Sequence, residues 1–458
     1  MKKEIPIKNN SGAVTGLKDS PLFSAAAEVV CAIREKGHNA YFVGGAVRDM
    51  LMGIAPKDID IATSATPAEV SALFPRNIQV GASFGIVKVI HGDFIIEVAT
   101  FREEREYSDG RRPDNVTYTD NPRLDAARRD FTINSLYFDP LDRQIYDFFE
   151  GEKDIRRGLI RTVGDAETRF SEDYLRILRA VRFSCRFGFR LDEAILTATR
   201  KLAPCLKKLS AERVRDELNM CFTGPDPRRA LELMMELRIA DIVLPEVAAM
   251  KGVEQHCEYH PEGDVMVHTL IMLGHLTLPD PELAWAVLLH DVAKPVSRSV
   301  GDDGISHFYR HENIGAEMAA GILGRLKFPA SFTEKVSHIV ANHMAFSNID
   351  KMRTARWKRI MGAETFPSEM ELHRIDCISS HGKLDNFHIM LDRIKELENT
   401  VKLPPPLITG TDLINLGFTP GPAFGKILAE IYDKQLEGII SDRNTALDHV
   451  KTQFIRGE

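Results

Sequence analysis

Gly44-Gly45-Ala46-Val47-Arg48-Asp49, followed by Gly53 and then Asp58-Ile59-Asp60-Ile61, is the stretch whose reading decides this chain. It follows a short apolar run, Ala40–Val43, that reads as a strand. Glycines between a strand and a helix let backbone approach a phosphate closely. Alone, a Gly-Gly pair is more often a simple tight turn. The Asp-x-Asp says more. In a strand, residues i and i+2 share a face, so Asp58 and Asp60 would aim two carboxylates at one spot while Ile59 and Ile61 enter the core. Such carboxylates suit Mg²⁺, and two ions can clamp an in-line displacement at phosphorus. Glu97, within the apolar run Phe94–Val98, is a candidate third carboxylate. An isolated Asp-x-Asp is usually a solvated face. The upstream glycines and the second acidic strand shift the balance toward a catalytic metal site.

Working outward, residues 21–36 carry apolar positions at helical spacing and Gly37 stops them. Strands are expected at Ala40–Val43, Ile59–Ala62, Ile86–Ile90 and Phe94–Val98. From about residue 165 the strand signal disappears and helical patterns run to the end. The expected architecture is an α/β head with a small mixed sheet, followed by an all-helical body. The chain has 458 residues, 44% hydrophobic and 27% charged, enough to bury several cores without a metal or disulfide staple. Its net charge of −7 excludes a basic nucleic-acid coat, so a polyanion must be held by a local basic surface. The six cysteines show no C-x-x-C spacing, which argues against a zinc ribbon and fits a reducing compartment. The polar start and the lack of a run near the roughly 20 apolar residues of a membrane span point to the cytoplasm and to no membrane partner.

The glycine pair, Asp-x-Asp and distal acidic strand together resemble the nucleotidyltransferase superfamily. A longer string resembles one branch of it, the class II tRNA nucleotidyltransferases (CCA-adding enzymes) and the related bacterial poly(A) polymerases. The matching stretches are Gly44 to Asp60, Phe101-Arg102, Asp109-Gly110-Arg111-Arg112-Pro113, Arg128-Arg129-Asp130-Phe131-Thr132-Ile133-Asn134 and Glu172-Asp173-Tyr174-Leu175-Arg176. The resemblance spans residues 25–250 and implies that Asp58 and Asp60 bind Mg²⁺. It also implies that Gly44, Gly45, Arg48, Arg129, Asp130 and Asn134 surround the incoming nucleotide. The basic loop Tyr107–Pro113, with Asp109, Arg111 and Arg112, matches the flexible loop that this family uses to switch from adding C to adding A. Gly81–Val87 resembles the tRNA-specific form rather than the more basic version of the poly(A) polymerases.

Asp173 and Arg176 have a chemistry of their own. At this spacing a plain helical ion pair is the bland reading. A carboxylate only accepts hydrogen bonds and a guanidinium only donates. Cytosine and adenine both present an exocyclic amino donor beside a ring-nitrogen acceptor, whereas uracil and guanine reverse the order. One Asp–Arg pair can therefore take C and A and reject U and G, and the resemblance implies that use, with Glu172 positioning Arg176. Arg179, Arg182, Arg186 and Arg190 extend the arginines along one helical stripe. Arg179 and Arg182 are expected at phosphate. Lys207, Lys208, Arg213 and Arg215 either track an RNA backbone or form a plain surface.

Residues 256–390 are rich in histidine. The order His268, His290-Asp291, His311, His343, Asp376 resembles the HD metal-dependent phosphohydrolase domain. Imidazole and carboxylate suit Mn²⁺, Ni²⁺, iron or Mg²⁺. The resemblance implies a core set of His268, His290, Asp291 and Asp376, with His311 and His343 completing a second position. The common motif reads His-Asp-x-Gly-Lys, and Ala293 stands here for the glycine. Both an active phosphohydrolase on RNA ends and a retained fold without hydrolysis fit the sequence.

The expected organisation is an arm at 1–20, a catalytic head at 21–150, a nucleotide-recognition and RNA-binding neck at 151–250, an HD domain at 251–400 and a helical tail at 401–458. The expected function is CCA addition to the tRNA 3′ end from CTP and ATP. Its alternatives are an A-adding enzyme or a poly(A) polymerase and, in a different class, an HD phosphohydrolase with a non-catalytic head.

Overall fold

The structure, a computed structural model, describes residues 20–79, 85–105, 115–256, 260–277, 280–302, 304–397 and 404–455. The chain divides into two compact units, with the boundary between Pro245 and Glu246.

The first unit opens with a helix, Pro21–Glu35, whose Ala26, Val29, Val30 and Ile33 are fully buried. The sheet beside it has seven strands: β1 (Ala40–Val43), β2 (Asp60–Thr63), β3 (Asn77–Gln79), β4 (Ile86–His91), β5 (Phe94–Thr100), and, after the hairpin β6 (Arg102–Arg105) and β7 (Asn115–Tyr118), β8 (Leu136–Asp139) and β9 (Gln144–Asp147). Their order is β3-β4-β5-β2-β1-β8-β9, and only β2 and β5 pair in parallel. Alternation splits β1 between two cores. Phe42 meets Phe23 of the first helix at 5.3 Å between ring centroids, while Tyr41 and Val43 join Ala62, Phe101, Ala126 and Tyr137. The remainder of this unit is mainly helical.

Two expectations need correction. β2 begins at Asp60, so Asp58 precedes the strand rather than lying in it. The body is also not free of strands. Leu159–Ile160 pairs with Arg190–Leu191, and Arg298–Val300 with Ser306–Phe308. These ribbons of two or three residues are too short for an alternating pattern to register. The first of them removes Arg190 from the helical stripe, because the helix Leu175–Phe187 ends before it at Gly188, in the left-handed conformation.

The second unit is built from helices. Val265–Gly274, Pro281–Leu289, His311–Arg325, Ala330–Asn342 and Phe366–Ser379 carry or flank the predicted metal ligands. Its C-terminal part forms a separate cluster of Ile408, Leu413, Ile427, Ile431, Ile440, Ala446 and Val450. Among the described residues, no helix is long and apolar enough to cross a membrane.

Candidate functional site

Strand register builds the first site. Val43 pairs with Asp60 across the antiparallel β1–β2 ladder, which sets the Gly44-Gly45 turn beside the start of β2. Gly44 has φ +71°, and a Cβ there would lie 2.9 Å from Arg129 Nη1. The positive φ calls for glycine, and a Cβ there would also oblige the Arg129 guanidinium to shift. Ile61 pairs with Val98 across the parallel ladder. Extending that register by one residue sets Asp60 beside Glu97, on the face opposite the buried Ile61 and Val98. Ile59 is buried between the exposed Asp58 and Asp60, as the alternation anticipates.

The three carboxylates crowd one another. Burial, then Glu97, then Asp58 push the Asp60 carboxyl up to about 6, against the opposing pull of Arg129 and Lys88. Such a cluster calls for a cation, and the residues present fit a divalent ion. Glu97 has one cation already, since Lys88 Nζ lies 2.7 Å from its Oε1.

Behind the glycine turn, Asp130 is nearly buried. Its Oδ1 accepts from the Phe131 amide at 2.8 Å and from Asn134 Nδ2 at 3.1 Å, and its Oδ2 from Arg179 Nε at 2.8 Å and Nη2 at 2.6 Å. Burial works against ionisation, but Arg179 and the Asn134 hydrogen bond outweigh it and hold the carboxyl at about 2. Arg48 is 3% exposed. It donates to Asp49 at 2.8 and 2.7 Å and to Asn134 Oδ1, with its guanidinium 4.6 Å from the Phe187 ring centre. The structure thus uses Arg48 inside the fold, to fix Asn134. Arg129 lies over the Tyr137 ring and bonds the Asn134 carbonyl at 3.4 Å. Asp125, 1% exposed, ties together Arg128, Arg129 and Tyr137.

Asp173 and Arg176 do not pair with each other. Asp173 Oδ2 accepts from Arg213 at 2.7 Å and its Oδ1 from the Leu175 amide at 3.1 Å. Arg176 donates to Glu172 at 2.5 Å and to the Arg169 carbonyl at 2.8 Å. The Glu172 contact agrees with its expected positioning role. Along the same helix, Arg182 meets Glu217 at 2.7 Å and Arg186 meets Asp49 at 3.2 Å. Each arginine of the stripe therefore has a carboxylate, and the stripe is a set of inter-element ion pairs rather than a free cationic face. Sequence reasoning missed Glu217 and Asp125, and left Arg213 between an RNA backbone and a plain surface rather than on Asp173. Asp109, Arg111 and Arg112 lie outside the described residues.

In the second unit, His290, Asp291, His311 and His343 come together around a cavity of about 730 Å³ that Asp376 also lines. His268 is fully buried and meets Asp376 Oδ1 at 3.1 Å through Nε2. His290, His311 and His343 each place Nδ1 on a backbone carbonyl three residues earlier, at 2.8, 2.8 and 2.6 Å. A carbonyl only accepts, so each Nδ1 carries a proton, and in the neutral ring each Nε2 has a lone pair. Those lone pairs converge. His311 Nε2 and His343 Nε2 are 3.1 Å apart, and Asp291 lies 3.1 Å from His290, 3.5 Å from His311 and 3.9 Å from His343. Acceptors facing acceptors in a buried site fit a cation between them. His268–His290–Asp291 and Asp291–His311–His343 each present ligand atoms close enough to share an ion, with Asp291 common to both. Burial, with His290 and His311 nearby, lowers His343 to about 3, which keeps it a neutral ligand. His268 lies between two carboxylates, and these overcome burial to raise it to about 9. Ala293 has φ −90°, a conformation open to any residue, so replacing the motif glycine leaves the backbone unperturbed.

A glycine turn beside clustered carboxylates on a mixed sheet, joined in one chain to a His/Asp cluster on helices, defines a nucleotidyltransferase head with an HD domain. Residues 40–161 match the Poly A polymerase head domain, residues 188–251 the probable RNA and SrmB-binding site of polymerase A, and residues 264–379 the HD domain. The chain is 32% identical to the CCA-adding enzyme of Lactobacillus johnsonii over 436 residues, 95% of this chain and 97% of that one. It is 45% identical to the CCA-adding enzyme of Geobacillus stearothermophilus over 216 residues, 47% of this chain and 53% of that one. The crystal structure of the Bacillus stearothermophilus CCA-adding enzyme in complex with CTP superposes with a TM-score of 0.72 at 27% identity, covering 95% of this chain and 99% of that one. The chain belongs to the CCA-adding enzyme family.

Proposed function

We infer that this chain is a template-independent RNA nucleotidyltransferase that adds CCA to the tRNA 3′ end from CTP and ATP, releasing pyrophosphate. The observation that carries the reading is the separate anchoring of Asp173 and Arg176. An acceptor-only group and a donor-only group are each held by a separate partner, on the helix segment whose Arg179 grips Asp130. Protein side chains then read the base, and no nucleic-acid template is needed. The named relatives support the same reaction.

In this reading Asp58 and Asp60 hold Mg²⁺, with Glu97 as the adjacent third carboxylate. When bound, the ions activate the attacking hydroxyl and hold the triphosphate. The terminal 3′-hydroxyl attacks the α-phosphate and pyrophosphate leaves, with no covalent enzyme intermediate. Gly44 and Gly45 allow close backbone approach, and Arg129 supplies charge beside them. Asp130 and Asn134, fixed by Arg179 and Arg48, hold the ribose hydroxyl. Asp173 accepts from the exocyclic amino group and Arg176 donates to the ring nitrogen. Arg179 and Arg182, already paired with Asp130 and Glu217, would meet the phosphates only by sharing that charge. We assign residues 21–150 to the catalytic head, 151–250 to the nucleotide-recognition and RNA-binding neck, 251–400 to the HD domain and 401–458 to the tail. The proposed compartment is the cytoplasm, supported by free Cys31, Cys185, Cys205, Cys221 and Cys377.

Single-nucleotide extension of tRNA lacking CCA, ending in C or ending in CC tests the reading. Addition of CCA to the bare tRNA, stopping after A, is expected. Addition of A to the CC-ended tRNA alone would make this an A-adding enzyme, and long A tails a poly(A) polymerase.

The converging lone pairs of the second unit support an added activity, metal-dependent phosphohydrolysis at RNA ends. His268, His290, Asp291 and Asp376 would hold one divalent ion, and His311 and His343, sharing Asp291, a second. Such an ion lowers the pKa of water. Release of phosphate from 3′-phosphorylated RNA should be lost in His290→Ala and kept in Asp58→Ala. Release that survives His290→Ala would remove the HD centre from the function.

A further inference from the structure

Three of the four histidines of the metal centre have their tautomer set by the backbone, and the fourth does not. His268 sits within the helix Val265–Gly274, where the carbonyl of Asp264 is taken by its own amide at 2.9 Å. Its Nδ1 instead faces Glu262 Oε1 at 2.6 Å. The Glu262 side chain is 5% exposed, and the same oxygen takes His260 Nδ1 at 2.9 Å. The turn that carries Glu262 is pinned. Gly263 has φ +78°, the Gly263 carbonyl accepts from the Gln255 amide at 2.8 Å, and Asp264 caps the helix through the Val267 amide at 3.0 Å.

We propose that Glu262 is the positioning residue of the metal centre. It holds the proton on His268 Nδ1 and directs the Nε2 lone pair toward the ion that Asp376, His290 and Asp291 share. The inference rests on the reading of this cluster as a metal centre. Glu262 does for His268 what the carbonyls of Val287, Phe308 and Val340 do for the other three. The carbonyl three residues before His268, that of Val265, accepts from the Thr269 hydroxyl at 2.9 Å, whereas His290 and His343 cap their helices and His311 starts one.

Co²⁺ titration of the full chain, followed by the visible d–d bands, tests this. Glu262→Met keeps the length of the side chain and removes the acceptor, and Glu262→Gln keeps an acceptor oxygen without the charge. Loss of such an outer partner typically weakens metal binding by about 10–100-fold. Glu262→Met is expected to lose affinity within that range, with altered bands, and Glu262→Gln to recover most of both. Equal, wild-type binding by the two variants would overturn the proposal. So would an equal loss in both, since charge or packing would then be the cause rather than the hydrogen bond to Nδ1. His268→Ala separates this from the parent reading. If it binds as many Co²⁺ ions as wild type, the metal centre itself is misassigned.

Discussion

Asp60→Asn should abolish nucleotide addition and at the same time make the metal-free head more stable. The Asp60 carboxyl rises from 3.8 to about 6 through burial and the neighbouring Glu97 and Asp58. A shift of 6 − 3.8, at about 1.36 kcal/mol per unit, is about 3 kcal/mol of disfavoured ionisation at pH 7. The residue is more than a third exposed, and solvent screening reduces the working figure to about 1–2 kcal/mol. The raised value means that the folded chain keeps a proton the unfolded chain has released. Stability from this group is therefore full below about pH 4, falls as pH rises to about 6, and stays lost above. Asparagine keeps the shape and removes the penalty. In EDTA at pH 7, the melting of the first unit should rise by about 2–8 °C in the variant. The difference should vanish near pH 4. Mg²⁺ should raise the wild type and leave the variant unmoved. A variant that melts at or below the wild type in EDTA at pH 7 would refute the reasoning, because the carboxylates would then not be in electrostatic conflict.

Asp173→Ala should loosen selection against UTP and GTP more than it slows total incorporation of CTP and ATP. Unchanged selectivity in single-nucleotide extension would remove Asp173 from base reading. Arg179→Met leaves Asp130 without its cation and should destabilise the first unit by about 1–3 kcal/mol at pH 7, read by urea unfolding. The effect should shrink as pH falls from about 4 to 2, where Asp130, held at about 2 in the fold, takes a proton; a deficit independent of pH would contradict the pairing. Gly44→Ala forces an alanine at positive φ against Arg129. At ψ −128° this is a region that only glycine adopts readily, so the change should cost about 1–3 kcal/mol of stability and lower kcat/KM for CTP, and a wild-type kcat/KM would show that the turn tolerates a side chain.

The local parts of this protein were legible in sequence. Ala40–Val43 is a strand, Gly44 turns at positive φ, Ile59 and Ile61 are buried, and the six HD residues gather, because each signal lies within a few residues or in a motif of fixed order. A net charge of −7 likewise followed from residue types alone. What the arginines do was not legible. Arg179 pairs with Asp130 across 49 residues, Arg213 with Asp173 across 40, Arg48 with Asn134 across 86 and Arg186 with Asp49 across 137. Helical spacing shows that they share a stripe, but whether a stripe faces water, phosphate or a buried carboxylate depends on which element folds against it. Desolvation makes the same point for Asp60 and Glu262. Only the packed fold brings three carboxylates together beside the central β2–β5 pair or sets one glutamate behind His268.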